Sequence, residues 1–172
     1  MQKMFKTEWQ IKERVSELAN EISLHFDGNP TPPVLLGVMN GALYFMADLS
    51  RAMSIGHEIQ TCSARSYVND EQTGHIAIKL NWDASTLPLQ GKDVVIVDDV
   101  LDSGRTIDTI TRIIAKQQRA RSVSVCVLVN KERVNTKPKF VGFTASAPDY
   151  LVGYGMDSKG LYRNQTSIKI KG

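Results

Sequence analysis

The chain has 172 residues, 42% of them hydrophobic and 23% charged, enough for a sizeable core in one globular domain spanning 1–172. A net charge of +3 without a long Lys/Arg tract suits an anionic small substrate and is too weak to argue for nucleic acid. No apolar run is long enough to span a membrane, and three dispersed histidines without a Cys-x-x-Cys leave no zinc-type ligand set.

The first residues, "MQKMFKTEWQIKERV", lack a signal-peptide apolar region, which predicts a cytoplasmic protein. "KTEWQIKERVSELANEISLHF" places Ile11, Val15, Leu18, Ile22 and Phe26 at helical spacing, with Thr7 and Glu8 as its start. "DGNPTPP" (27–33) is a turn cluster, "VLLGVM" (34–39) a buried strand, and "NGALYFMADLSRAM" a loop opening into a helix. "HEIQTCSARSYV" (57–68) predicts a second strand, Asn69 to Gly74 a polar loop or hairpin tip, and "HIAIKLNW" (75–82) a half-buried strand.

After the connector "DASTLPLQGKD" comes "VVIV" (94–97), the most hydrophobic strand, and then Asp98 and Asp99. "SGRTIDTITRIIAKQQRA" puts Ile107, Ile110, Ile113 and Ile114 at helical spacing. "SVSVCVLV" (122–129), "KFVGF" (139–143) and "YLVGYG" (150–155) follow as strands, and "SIKIKG" ends the chain. Cys62 and Cys126, both in strand-like runs, read as buried packing in a reducing compartment. Strands alternating with helices argue for an α/β fold with a largely parallel sheet.

The chemistry concentrates in "VVIVDDVLDSGRTI". An apolar strand running through a turn into a helix delivers that turn to the carboxyl edge of a parallel sheet, where open α/β folds bind ligands. Gly104 permits close ligand approach, and successive N–H groups at the helix start make a phosphate site. Asp98 and Asp99 can accept from hydroxyls or bind Mg2+. A phosphate cradle beside carboxylates describes a receptor for a sugar phosphate. An acidic turn that merely caps a helix is the blander alternative. It suits the pair alone better than three aspartates followed by Ser-Gly-Arg-Thr.

This stretch resembles the phosphoribosyl pyrophosphate signature of the type I phosphoribosyltransferases. The blocks "GVMNGALYFMADL" (37–49), "ARSYVNDEQTG" (64–74), "VLVNKERV" (127–134), "KPKFVGF" (137–143) and "PDYLVGYGMDSKGLYRN" (148–164) resemble the hypoxanthine-guanine branch, in family order. The resemblance implies a largely parallel, twisted central sheet flanked by helices, with a small hood formed by the N- and C-terminal segments. It implies Mg2+-dependent transfer of 5-phosphoribosyl from phosphoribosyl pyrophosphate to N9 of hypoxanthine or guanine, in a homodimer or homotetramer.

On the matched positions, Asp98 and Asp99 would hold the ribose hydroxyls directly or through Mg2+, and Asp102 would act as general base or acid at purine N7. Ser103, Gly104, Arg105 and Thr106 would cradle the 5-phosphate. Asn40, Gly41 and Arg163 would contact pyrophosphate, and the peptide at Asn40 is expected to be cis. Lys131 would donate to the purine 6-oxo group, Tyr150 would stack on the base, and Leu151 would face its edge through its backbone. Asp157 would lie near a second metal and the base edge. Ser66 and Tyr67 would belong to a flexible loop that closes over the site.

Outside the matched blocks Lys131 would read as a surface lysine, Tyr150 as packing and Arg163 as a solvated side chain. Two positions depart from the family pattern: many relatives have lysine where this chain has Asn40, and an aromatic where it has Ser158. Alternatives are a xanthine-preferring enzyme and, from another class, an RNA-binding regulator of the same fold. Those regulators commonly lack the aspartate corresponding to Asp102. A signalling receiver domain places its paired aspartates at its first strand, not past the middle of the chain.

Overall fold

The computed structural model describes residues 2–66, 76–86, 88–131 and 137–172. In chain order its elements are β1 (Gln2–Lys6), α1 (Glu8–Phe26), β2 (Val34–Met39), α2 (Leu43–Ala52), β3 (Glu58–Ser66), β4 (Ile76–Leu80), β5 (Asp93–Leu101), α3 (Arg105–Arg112), β6 (Ser122–Asn130), β7 (Phe140–Thr144), β8 (Tyr150–Val152) and β9 (Ile168–Lys171). The six-stranded sheet runs β4-β3-β2-β5-β6-β7. All of its neighbours pair in parallel except β3 and β4, so the one reversed strand lies at an edge.

Each face of this sheet buries a helical layer. Helix α1 opens with a capping box, in which the Thr7 hydroxyl accepts from the Gln10 N–H while the Gln10 side chain accepts from the Thr7 N–H. It buries Ile11, Val15, Leu18, Ile22 and Phe26, together with α2, against Leu35, Val95, Val97 and Leu128. On the opposite face Ile107, Ile110 and Ile114 pack on Val34, Leu36, Val94, Ile96 and Val127. Residues 94–97 are fully buried. At about 1.5–3 kcal/mol for each such side chain, they hold β5 firmly enough for its far end to carry carboxylates.

A second sheet, β1-β9-β8, is antiparallel and joins the two ends of the chain as the expected hood. Strand β1 was not legible as a strand, because "QKMFK" is short and its partner β9 lies at the other end of the sequence. Strand β5 is longer than the expected 94–97 and takes in both aspartates. Helix α3 gives way after Arg112 to a π turn over Ile113–Gln117. The anticipated loop at 69–74 lies outside the described residues. Among the described residues, no helix is long and apolar enough to cross a membrane.

Candidate active site

Parallel pairing of β2, β5 and β6 aligns their carboxyl ends along one edge. The segments that leave there are Asn40–Gly41 after β2, Asp102 to Thr106 after β5, and Lys131 after β6. Gly104, at φ 75°, caps α3, and its carbonyl accepts from the Asp108 N–H. A left-handed backbone at this point is open to glycine at little cost. It lets the chain turn sharply from β5 into the start of α3. Ser103 and Arg105 are exposed and Thr106 is half-buried, so hydroxyl, cation and helix N-terminus share one small cradle.

Asp98 and Asp99 sit where β5 changes phase. Val95 and Val97 face the α1 and α2 layer and Val94 and Ile96 the α3 layer, yet Val100 joins the first group and Leu101 the second. Regular alternation would send adjacent side chains to opposite faces. Across this slip the two carboxylates are close enough to act on each other. Asp98 accepts from the Asp99 N–H at 3.0 Å and Asp99 from the Val100 N–H at 2.9 Å.

Burial raises the pKa of both groups, and repulsion from Asp99 raises that of Asp98 further. Among the described residues, no lysine or arginine forms an ion pair with either. A buried Asp98 and a half-buried Asp99, neither in an ion pair among the described residues, suit a divalent ion that arrives with its own ligand oxygens.

The loop after β2 presses directly on this pair. The Met39–Asn40 peptide is cis, as expected. A Cβ on Gly41 would lie 2.5 Å from an Asp99 carboxylate oxygen, so only glycine lets the loop approach so closely. Gly155, at φ 102°, packs in turn against the Gly41 carbonyl, where a Cβ would collide. Its own carbonyl accepts from Arg163 Nη1 at 2.5 Å, and Arg163 Nη2 lies 2.6 Å from Asp157 Oδ1. The Arg163 charge acts on Asp99, opposing the rise in its pKa. Gly155, which pattern reading had passed over, thus connects Asp99 and Gly41 to Arg163. The "GYG" spacing at 153–155 was its only local signal.

A second group faces the same edge. Lys131 Nζ lies 3.5 Å from Asp102 Oδ2, and the Lys131 N–H donates to the Leu101 carbonyl at 3.0 Å. The lysine is 10% exposed and the aspartate 48% exposed, so the cation is sheltered while the carboxylate meets solvent. Tyr150 opens β8 half-exposed, and its hydroxyl donates to the Asp157 carbonyl at 3.0 Å. Leu151 behind it is buried. Ser158 accepts at 2.8 Å from Lys171, whose ammonium lies 5.8 Å from the Tyr150 ring centre. At position 158 this chain thus holds a buried serine, with a lysine beside the stacking candidate.

Asp157 is committed locally, to Arg163 and to the Gly160 N–H at 2.7 Å. Among the described residues, no three His, Cys, Asp or Glu side chains converge on a metal-sized site, so Asp157 does not form one cluster with Asp98 and Asp99. Ser66 ends β3 with its backbone opposite Ile76. Tyr67 lies outside the described residues.

The arrangement offers an anion cradle, a carboxylate pair, a lysine–carboxylate pair and an exposed aromatic along one sheet edge. The phosphoribosyl transferase domain family model matches residues 1–159. The chain is 35% identical over 161 residues to the hypoxanthine phosphoribosyltransferase of Escherichia coli (strain K12), covering 91% of this chain and 88% of that protein. Its counterpart in Buchnera aphidicola subsp. Schizaphis graminum is 34% identical over 166 residues, covering 94% and 90%. A crystal structure of a hypoxanthine-guanine phosphoribosyltransferase from Bacillus anthracis superimposes with a TM-score of 0.87 at 30% identity, covering 98% of both chains. A hypoxanthine phosphoribosyltransferase from Staphylococcus aureus gives 0.86 at 27% identity, covering 99% of this chain and 91% of that one.

Proposed function

The chain belongs to the phosphoribosyl transferase domain family, in its hypoxanthine phosphoribosyltransferase branch, and from that premise we propose that it converts 6-oxopurines to nucleotides. In this reading the glycosidic bond forms between C1′ of phosphoribosyl pyrophosphate and N9 of hypoxanthine or guanine. The C1′–oxygen bond to pyrophosphate breaks, and the products are IMP or GMP. The observation that carries the reading is the Lys131–Asp102 pair, 3.5 Å apart beside the anion cradle. It pairs a donor for a 6-oxo group with an acceptor for a ring proton.

Asp102 holds or releases the proton at purine N7 as the ring's charge changes. The Lys131 ammonium, a donor only, favours a 6-oxo group over the amino group of adenine. Tyr150 stacks on the base and the Leu151 backbone meets its edge, while Asp157 acts through its hold on Arg163. The residues of the α3 turn, Ser103, Gly104, Arg105 and Thr106, fix the 5-phosphate. Asn40, Gly41 and Arg163 receive the pyrophosphate, and Ser66 and Tyr67 belong to the loop that closes over the reacting centre.

Asp98 and Asp99 would hold the ribose hydroxyls and a Mg2+ ion. Bound there, Mg2+ supplies charge neutralisation to the sugar phosphate and its leaving group. The two free buried cysteines support a reducing, cytoplasmic setting. A homodimer or homotetramer is the assembly we expect.

The test is incubation with Mg2+, phosphoribosyl pyrophosphate and, separately, hypoxanthine, guanine, xanthine, adenine and uracil, with quantification of nucleotide. The reading predicts product with hypoxanthine and guanine and little with adenine or uracil. No product from any 6-oxopurine would overturn it.

A further inference from the structure

The turn that carries Gly155 is tied by a side chain to helix α2. Tyr154, between Gly153 and Gly155, is itself left-handed at φ 50° and only 7% exposed. Its hydroxyl donates to Asp48 Oδ2 on α2 at 2.6 Å, and its ring lies 6.3 Å from that of Tyr44 on the same helix. The Tyr154 N–H donates to the Gln165 carbonyl and the Gly155 N–H to the Arg163 carbonyl, so the phenol anchors both strands of the hairpin that bears Arg163. Helix α2 begins two residues beyond Gly41. One side-chain bond therefore links the element following the Asn40–Gly41 loop to the turn whose glycine presses on that loop.

We propose that Tyr154 and Asp48 form a positioning latch that holds Arg163 and the Asn40–Gly41 loop in register, serving the pyrophosphate end of the site and not the purine end. Three consecutive left-handed residues, Gly153, Tyr154 and Gly155, leave the turn with few alternatives once the phenol is fixed. A buried hydroxyl bonded to a carboxylate is among the stronger neutral-to-charged hydrogen bonds. Released from Asp48, the turn can shift against Gly41, and a small displacement of the arginine weakens its hold on an anion. Lys131 and Asp102 reach the edge from the ends of β6 and β5, elements that this bond does not touch.

The inference rests on the reading of Arg163 and Asn40–Gly41 as the pyrophosphate site. Tyr154→Phe removes only the hydroxyl, and Asp48→Asn removes the charge while keeping the shape. Each should raise the KM for phosphoribosyl pyrophosphate by about 10-fold, the usual size for a lost hydrogen bond to a charged group, with the KM for hypoxanthine nearly unchanged. The double variant should be no worse than the more damaged single one, because both remove the same bond.

Arg51→Ala deletes an exposed partner on the other Asp48 oxygen and should leave both constants alone. Calorimetric titration of Mg2+-pyrophosphate reads the same weakening without turnover. Wild-type protein that binds pyrophosphate but makes no nucleotide would sink the function and leave the latch standing. Unchanged pyrophosphate binding in Tyr154→Phe, or parallel changes in both KM values, would overturn the latch.

Discussion

At the start of β5, Asp93 accepts from Arg121 through both oxygens, from the Ser122 hydroxyl at 2.7 Å and from the Asn29 amide at 2.9 Å. Five and six residues along the same strand, Asp98 and Asp99 accept from the Asp99 and Val100 N–H groups and otherwise meet each other. Both ends bury carboxylates, and their acidities move in opposite directions. The Arg121 hydrogen bonds, with those of Ser122 and Asn29, pull Asp93 down to about 2. Burial pushes both Asp98 and Asp99 up, and repulsion from Asp99 pushes Asp98 further. Charge at the amino end is answered inside the protein and serves the fold. At the carboxyl end it is left for something outside to answer, at a cost in stability, as binding sites require.

The strongest way to sharpen this comparison is at Asp102, just past the functional end. Asp102→Asn should lower turnover by roughly 10²–10⁴ with the melting temperature unmoved, since a proton acceptor is lost but no packing. Steady-state assay alongside thermal melting checks both halves. Next is Lys131→Met, which should reduce kcat/KM for hypoxanthine by about 10–100-fold and narrow the preference over adenine. Unchanged selectivity would mean that another group reads the 6-position.

At the structural end the effect should fall on stability. Asp93→Ala leaves Arg121, Ser122 and Asn29 without their shared acceptor and should cost roughly 2–3 kcal/mol, or about 5–10 °C in Tm for a chain of this size. The KM and kcat of the surviving folded enzyme should change little. The same contact sets the smallest effect, an acid limb. Because the folded pKa of Asp93 lies below the ordinary 3.8, its contribution is complete above that value and is lost as the pH falls toward about 2. Tm should therefore decline more steeply below roughly pH 4 in the wild type than in Asp93→Ala.

Local pattern carried a great deal of this molecule. The run Val94 to Val97, the glycine at 104 and the isoleucines of α3 each follow from burial and backbone freedom over a few residues, so the strand, turn and helix were legible together. Helix α1 was readable for the same reason, although its cap proved to use Gln10 as well as Thr7. What escaped depends on distant partners. Strand β1 exists because β9 pairs with it, and Asp93 sat unremarked at the end of a connector because Asn29 and the adjacent Arg121 and Ser122 come from two distant segments. Tyr154 and Asp48 are 106 residues apart. Asp157 stood out only through the block it lies in, and its commitment to Arg163 depends on a turn geometry that no local pattern encodes.

The most direct measurement compares Asp98→Asn with Asp93→Asn for phosphoribosyl transfer to hypoxanthine and for thermal melting, in one buffer at neutral pH. Asparagine at 98 keeps an acceptor for the Asp99 N–H and removes a buried charge. It should depress transfer by about 10²-fold or more while leaving Tm equal to or above the wild type. Asparagine at 93 should lower Tm and spare transfer. An Asp98→Asn protein that melts early yet transfers normally would contradict the division of β5 into a structural end and a functional one.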